Sequence, residues 1–260
     1  NAFKDLNVLL ITILEKARHL MGADAGSIYV IEGDDEDILK CTLRFKFSQN
    51  DSIDYASAEF VMPVSATSIA GAAAVMKRSI DIPDVRVIPE EAPYRFDPSW
   101  DLRTGYQTIS VLAVPMINQE GVVMGVVQLI NKKQNPSVRL ISPRDFESEV
   151  VPMDERGRSL VETLASQAGV AMENTRLYAE IRRIFDGFIK ASVHAIEQRD
   201  PTTSGHSFRV ALLTRKLAEA VSNHPAGKYA DVKFTEVELK EKKPAQTSGE
   251  GLLRSTTCQA

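Results

Sequence analysis

Apolar residues recur at Leu6, Leu9, Leu10, Ile13, Leu14, Ala17 and Met21 along the first stretch of the chain. These steps of three and four residues predict an amphipathic helix over residues 3–21, stopped by Gly22. The period then changes. Ser27-Ile28-Tyr29-Val30-Ile31 is β-branched and aromatic, Gly33-Asp34-Asp35 reads as a turn, and residues 39–45 alternate apolar and polar. Together they predict a hairpin. Residues 60–64 form a short strand pattern. Residues 68–76 predict a helix of small residues, able to pack closely on a sheet or a ligand. Residues 80–84 leave it in extended form. Residues 85–107 carry Pro, Arg and Asp with little periodicity, so a long functional loop is expected there.

Residues 109–115 and 121–130 are the most strand-like runs, and Asn118-Gln119-Glu120-Gly121 between them reads as a hairpin turn. Both are apolar on successive residues, which predicts the centre of a sheet covered on both faces. A second long loop is expected over residues 131–152. Asp154 then opens a long helix, with Leu160, Leu164, Ala168, Ala171, Thr175, Tyr178 and Ile181 on one stripe that continues through Phe185 and Phe188. A helix from Asp154 to Glu197 is about 60 Å long, more than a small sheet can cover. The expected partner is a second copy of the chain in a parallel dimer stalk, joined by the helix that starts at Phe3. The alternative is a break near Gly187 with the helix packing back. Arg199-Asp200-Pro201 ends the helix. Val210, Leu213, Leu217 and Val221 mark another, and residues 242–260 read as a disordered tail.

Composition narrows the function classes. The chain has 260 residues, 43% hydrophobic and 25% charged, with a net charge of −4. No basic field points to nucleic acid or to an anionic membrane. No apolar run reaches the roughly 18 residues of a membrane span. Asp5, Glu15 and Lys16 interrupt the apolar start, so a signal peptide is not expected and a cytoplasmic location is. The first residue is not Met, which suggests a fragment. Cys41 and Cys258 are expected as separate thiols in a reducing compartment. Asp34, Asp35, Glu36 and Asp37 read as a solvated turn. There is no Gly-rich phosphate loop, no CxxC pair and no Gly-x-Ser-x-Gly elbow.

The order of elements, together with Ala25-Gly26-Ser27-Ile28-Tyr29-Val30, Ser68-Ile69-Ala70-Gly71, Ser110-Val111-Leu112-Ala113-Val114-Pro115-Met116, Gly125-Val126-Val127-Gln128-Leu129-Ile130-Asn131-Lys132 and the helix around Leu164–Asn174, resembles the GAF domain family. The resemblance covers about 175 residues, a domain over residues 1–180. It implies an α/β (α+β) fold: a central antiparallel sheet of about six strands, flanking helices and a long C-terminal linker helix. Within the family, Asn131-Lys132, Phe146 and Asp154-Glu155 resemble the Asn-Lys-x-Phe-x-Asp-Glu signature of the cyclic-nucleotide-binding branch. Seven residues separate Phe146 from Asp154 here, where the family usually has three. The signature implies a Lys132–Asp154 bridge; the plainer alternative is that Asp154 caps the helix and Lys132 is a solvated strand end.

Asp101-Leu102-Arg103-Thr104-Gly105-Tyr106-Gln107-Thr108 is similar to the family's lid segment. The ligand implied is cyclic AMP or cyclic GMP, and no cofactor is required. Position by position, the implied contacts are Ser27, Phe47, Ile69, Ala70, Asp101, Thr104, Thr108 and Gln128. Ile69, Ala70 and Gly71 stand at a helix start, where N–H groups can hold a phosphate. Gln128 replaces a Glu of some relatives, and Arg86 falls near an aromatic stacking position, so the base is left open.

Arg199-Asp200-Pro201 followed by Gly205-His206-Ser207-Phe208-Arg209-Val210 resembles the opening of an HD-GYP domain, a metal-dependent cyclic di-GMP phosphodiesterase. No His-Asp dyad and no Gly-Tyr-Pro follow, and Thr202 stands where some members have a Glu ligand. A two-metal site needs several ligands, and His206 alone cannot supply them. Residues 181–241 are therefore expected to be a linker helix and a truncated HD-GYP start. The chain as it stands is expected to be a ligand sensor and not an enzyme. The alternatives are a ligand-free dimerisation spacer and, least expected, turnover of cyclic di-GMP by the fragment itself.

Overall fold

The computed structural model describes residues 2–33, 37–54, 59–199, 206–224 and 232–234. The acidic run at Asp34 to Glu36, Cys258 and the tail from residue 242 lie outside them. The chain divides into two compact units, residues 1–179 and 180–260.

In the first unit, α1 (Ala2–Met21) leads into β1 (Ala23–Glu32) and β2 (Thr42–Asn50). Then come β3 (Phe60–Pro63), α2 (Ile69–Met76), β4 (Ile80–Ile82), α3 (Ser99–Thr104), β5 (Val111–Ile117), β6 (Val123–Lys133), α4 (Pro143–Glu149) and β7 (Val150–Val151). The long α5 (Glu155–Arg199) follows, and α6 (His206–Asn223) lies in the second unit. All strand pairs are antiparallel, in the order β3-β2-β1-β6-β5-β4, with β7 also paired to β6. The sheet has seven strands. It is the mixed α/β architecture expected from the sequence.

Its centre meets the expectation for β6 but not for β5. β6 lies between β1 and β5, and β5 is next to the edge strand β4. Continuous apolar character in β5 reflects cover on both faces, not a central position. On one face Ile28, Leu112, Val114, Val127 and Leu129 meet Leu10, Leu14 and Ala17 of α1 and Val161, Ala165 and Ala168 of α5. On the other, Leu43, Val111, Ala113 and Val126 meet Ala70, Ala73 and Ala74 of α2.

Both expected long loops contain structure. Within residues 85–107 a 3-10 turn (Val85–Val87) and α3 form, and α3 is closed by Gly105 at φ 74°. Within residues 131–152, β6 runs on to Lys133 and α4 forms behind a reciprocal Ser142–Asp145 capping box with Pro143 in its first turn. Short helices bury too few residues to show a period, so their caps are the only sequence signal.

The expected stripe of α5 meets the sheet only in part. Ala168 is buried and Leu164 packs against the core, joined there by Val161, Ala165 and Met172, while Leu160, Tyr178 and Ile181 are exposed. The sequence carries two neighbouring apolar stripes, and the one rich in small residues packs on the sheet. Small side chains permit the closer approach: a Cβ added to Gly169 would lie 2.6 Å from the Ile117 carbonyl oxygen. The helix does not break at Gly187; it is continuous from Glu155 to Arg199.

Candidate functional site

A cavity of about 620 Å³ opens between the sheet face of β1, β2 and β6, the start of α2, and the segment carrying α3. That volume falls in the range of small-molecule sites. Its floor is set by strand alternation. Ala25, Ser27 and Tyr29 of β1 point into it, next to Gln128 and Ile130 of β6 and Phe45 and Ser48 of β2. Ser27 and Gln128 are direct cross-strand partners. Neither side chain has a hydrogen-bond partner among the described residues, so a hydroxyl and a carboxamide are open to the cavity.

The start of α2 forms one wall through Ser68, Ile69 and Ala70. Ser68 caps the helix, its Oγ accepting from the Gly71 N–H at 3.1 Å. The first-turn N–H groups of Ile69 and Ala70 have no carbonyl within the helix to bond.

The remaining wall is the lid. The N–H of Arg95 bonds the Thr67 carbonyl at 2.8 Å and ties the lid to the turn before α2. The Arg95 guanidinium donates to the carbonyls of Glu90, Ala92 and Tyr94, holding its own loop. Trp100 lines the cavity and Arg103 stacks on it, 5.1 Å from the ring centre. Asp101 accepts from the Thr108 N–H at 2.7 Å and the Thr108 hydroxyl at 2.9 Å, latching both ends of the lid together. Burial holds the Asp101 carboxyl above the ordinary aspartate range, against the pull of the two Thr108 donors.

The sequence-predicted residues divide accordingly. Ser27, Ile69, Ala70, Asp101, Thr108 and Gln128 line the one cavity. Thr104 does not; its hydroxyl donates to the Trp100 carbonyl and accepts from the Tyr106 N–H within the lid turn. Phe47 does not either. Pairing shifts between Ile28↔Phe47 and Tyr29↔Phe45, so Lys46 is an extra residue in β2. The bulge leaves Phe45 on the cavity side and turns Phe47 to the α1 face, where it packs near Ile28. Arg86 lies outside the cavity, bonded at 2.7 and 2.9 Å to Asp84.

Tyr29, Phe45, Phe96, Trp100 and Tyr106 also line the cavity, and sequence reasoning passed over them. The alternation of β1 with Ser27 pointed to Tyr29. Tyr106 lay inside the lid motif itself. The signals for Phe96 and Trp100 were only those of an irregular segment.

The matched family model is that of the GAF domain, over residues 5–172. The chain belongs to the GAF family. The GAF region is 28% identical over 178 residues to a "cGMP-specific 3',5'-cyclic phosphodiesterase" of Drosophila pseudoobscura pseudoobscura, and equally to its Drosophila melanogaster counterpart. Each match covers 67% of this chain and 14% of the relative, so the chain spans about one seventh of these proteins. Among solved structures, it is similar to the GAF domain region of a putative membrane protein from Geobacter sulfurreducens PCA, at 16% identity and a TM-score of 0.46, over 66% of this chain and 96% of the other.

Of the signature residues of this GAF domain, Asn131 and Lys132 lie near the end of β6, Phe146 in α4, and Asp154 and Glu155 at the start of α5. Asn131 is fully buried with φ 55°. Its Oδ1 accepts from the N–H groups of Ile109 and Ser110, and its Nδ2 donates to the Gln107 carbonyl. It therefore seats the exit of the lid. Phe146 is buried edge-on against Tyr106, with ring centres 5.1 Å apart. Lys132 Nζ bonds the Asp154 carboxylate, whose other oxygen accepts from the Gly157 N–H at 2.7 Å. The bridge and the cap, posed as alternatives, are made by the same side chain. Glu155 is exposed and pairs with Arg158.

The Lys132 bond, followed by the Gly157 N–H, holds the Asp154 carboxyl below the usual aspartate range. Its stabilisation is present above the ordinary aspartate pKa and lost as pH falls through the depressed value. Asp154→Ala is expected to lower stability by about 1 kcal/mol at neutral pH. Thermal melts of the two proteins should converge in acid.

Among the described residues, no group of three or more His, Cys, Asp or Glu is placed to hold a metal ion. His206 is the first residue of α6. No helix among the described residues is long and apolar enough to cross a membrane.

Proposed function

We propose that this GAF domain is the sensor of a signalling protein and that its ligand is a cyclic nucleotide. The observation that carries the reading is the cavity itself. Free N–H groups at the start of α2 suit a single phosphate. Opposite them stand the open Ser27 hydroxyl and Gln128 carboxamide, suited to a polar base edge, and the aromatic rings of Tyr29, Phe45 and Trp100, suited to its faces. The similarity to cyclic GMP phosphodiesterases supports the same class of ligand. A ligand bridging floor and lid favours the latched arrangement and shifts its population. α5 carries that shift out of the domain, in a dimer with a second copy of the chain. The output that the Arg199 to Val210 resemblance implies is an HD-GYP phosphodiesterase.

Calorimetry of the full chain with cyclic AMP and cyclic GMP tests this. One nucleotide at least is expected to bind. Gln128→Ala should weaken it about tenfold, the worth of one hydrogen bond in a closed site. If neither nucleotide gives heat or raises the melting temperature, the domain is a ligand-free dimerisation spacer.

A further inference from the structure

We propose that Tyr106 is a positioning residue: its hydroxyl ties the latched lid to the buried Asp24 cluster, and through Asp24 to Arg18 of α1, so that lid closure and the seating of α1 are one event. This rests on the sensor reading above for its ligand, and it adds α1 to the elements that feel the lid.

The two ends of the Tyr106 side chain have different neighbours. The residue follows Gly105, which closes α3, and its ring lines the cavity and packs edge-on against Phe146. Its hydroxyl donates to Asp24 Oδ2 at 2.8 Å. Lys133 and Ser52 both serve the other oxygen, Oδ1. Lifting the lid at Tyr106 therefore takes the donor from Oδ2 of a fully buried residue. A buried carboxylate oxygen left without its donor is costly, so the cluster resists opening of the lid.

Asp24 carries the tie across the sheet. It is the second residue of β1, three residues past the end of α1. Its carbonyl accepts from Arg18 at 2.7 Å and from the Asp51 N–H at 2.9 Å. Arg18 is itself buried and also bonds Asp51 at 2.5 Å and Gln49 at 3.1 Å. The cavity lies on the α2 side of the sheet, and α1 packs on the opposite side. One residue is thus held by its side chain from the lid and by its main chain from α1. Displacing it from either side disturbs the other. Such coupling is reciprocal: what closes the lid tightens α1, and what loosens α1 opens the lid.

Hydrogen exchange on the full chain without nucleotide tests the tie. Tyr106→Phe should speed exchange of the amides of residues 18–21, in the last turn of α1, about fivefold, the equilibrium worth of one hydrogen bond. Arg18→Met should speed the lid amides of residues 101–108 in the same way. The double variant should show no further acceleration at either place, because both changes cut one tie. Val161→Ala, a core truncation in α5, should lower the melting temperature and leave both local rates unchanged. Arg18→Lys, which keeps the charge beside Asp51, takes the place of Arg18→Met if that variant does not fold. Rates that respond only at the end where the change was made overturn the proposal. So do additive effects in the double variant, or an equal effect of Val161→Ala. With saturating cyclic AMP or cyclic GMP, whichever binds, exchange at residues 18–21 should slow in the native chain and not in Tyr106→Phe. No slowing in the native chain overturns the coupling. If neither nucleotide binds, the sensor reading fails, and the rates without nucleotide still decide the tie.

Discussion

Asp24→Ala is expected to remove about 3–5 kcal/mol of stability from the GAF domain. Asp24 is fully buried at the start of β1. Its Oδ1 is 3.0 Å from Lys133 Nζ, which is itself almost wholly buried, and accepts from the Ser52 hydroxyl at 2.7 Å. Its Oδ2 accepts from the Tyr106 hydroxyl at 2.8 Å. Burial and the adjacent carboxylate push the Tyr106 phenol well above its usual range, so it stays a donor. The Ser52 hydroxyl in turn accepts from the Leu140 N–H, and Arg18 of α1 donates to the Asp24 carbonyl at 2.7 Å. Removing the carboxylate leaves the Lys133 ammonium with only the Val138 carbonyl and the more distant, half-exposed Asp51. A buried charge without its partner is far costlier than the pair was worth. A drop in the urea midpoint at neutral pH measures the loss. The double change Asp24→Leu, Lys133→Met should recover much of it, because it removes both charges together.

Gly71→Ala is the second. Here the expected loss is about 3 kcal/mol, combining overpacking with a lost cap. A Cβ at Gly71 would sit 2.1 Å from the Ser65 carbonyl oxygen and 2.6 Å from Ser68 Oγ. The first of these is backbone and cannot rotate away. Relief requires moving either the 65–68 turn or the start of α2, and both border the cavity. The helix-propensity gain of Ala over Gly, about 1 kcal/mol, does not offset this. Binding of any ligand held by the Ile69 and Ala70 N–H groups should fall with stability. Urea unfolding and calorimetry on the same sample measure the two effects together. An Ala variant with unchanged unfolding would mean that the close approach is relieved without cost.

The fold was legible where a period was long enough to show. α1, β1, β5, β6 and α5 each declare themselves by spacing, and the family motifs place α2. Strand order was not legible, since β1 and β6 are partnered across a hundred residues and nothing local records it. The lid was legible as a motif at Asp101 to Thr108 and silent elsewhere. Within that motif, Asp101 and Thr108 bond one another, a relation that no spacing rule predicts. The Asp24 network was hidden for a different reason. Arg18, Asp24 and Lys133 each look like ordinary surface charges, and they become interior only when α1, β1 and β6 converge. The face of α5 was located only in part, through Leu164 and Ala168, because hydrophobicity alone cannot rank two adjacent stripes. Side-chain size does, once a sheet must be approached closely.

The extra residue at Lys46 has a consequence for matching this chain to others. Phe45 and Phe47 would share a face in a regular strand, and here they serve opposite layers. A homologous strand lacking the insertion would carry its two aromatic residues side by side and still send them to the same two places. An alignment that keeps β2 ungapped would then equate the ring over the cavity with the wrong position. Placing the gap at Lys46 restores the correspondence, so the correct frame of this strand is set by its pairing with β1 and not by residue count.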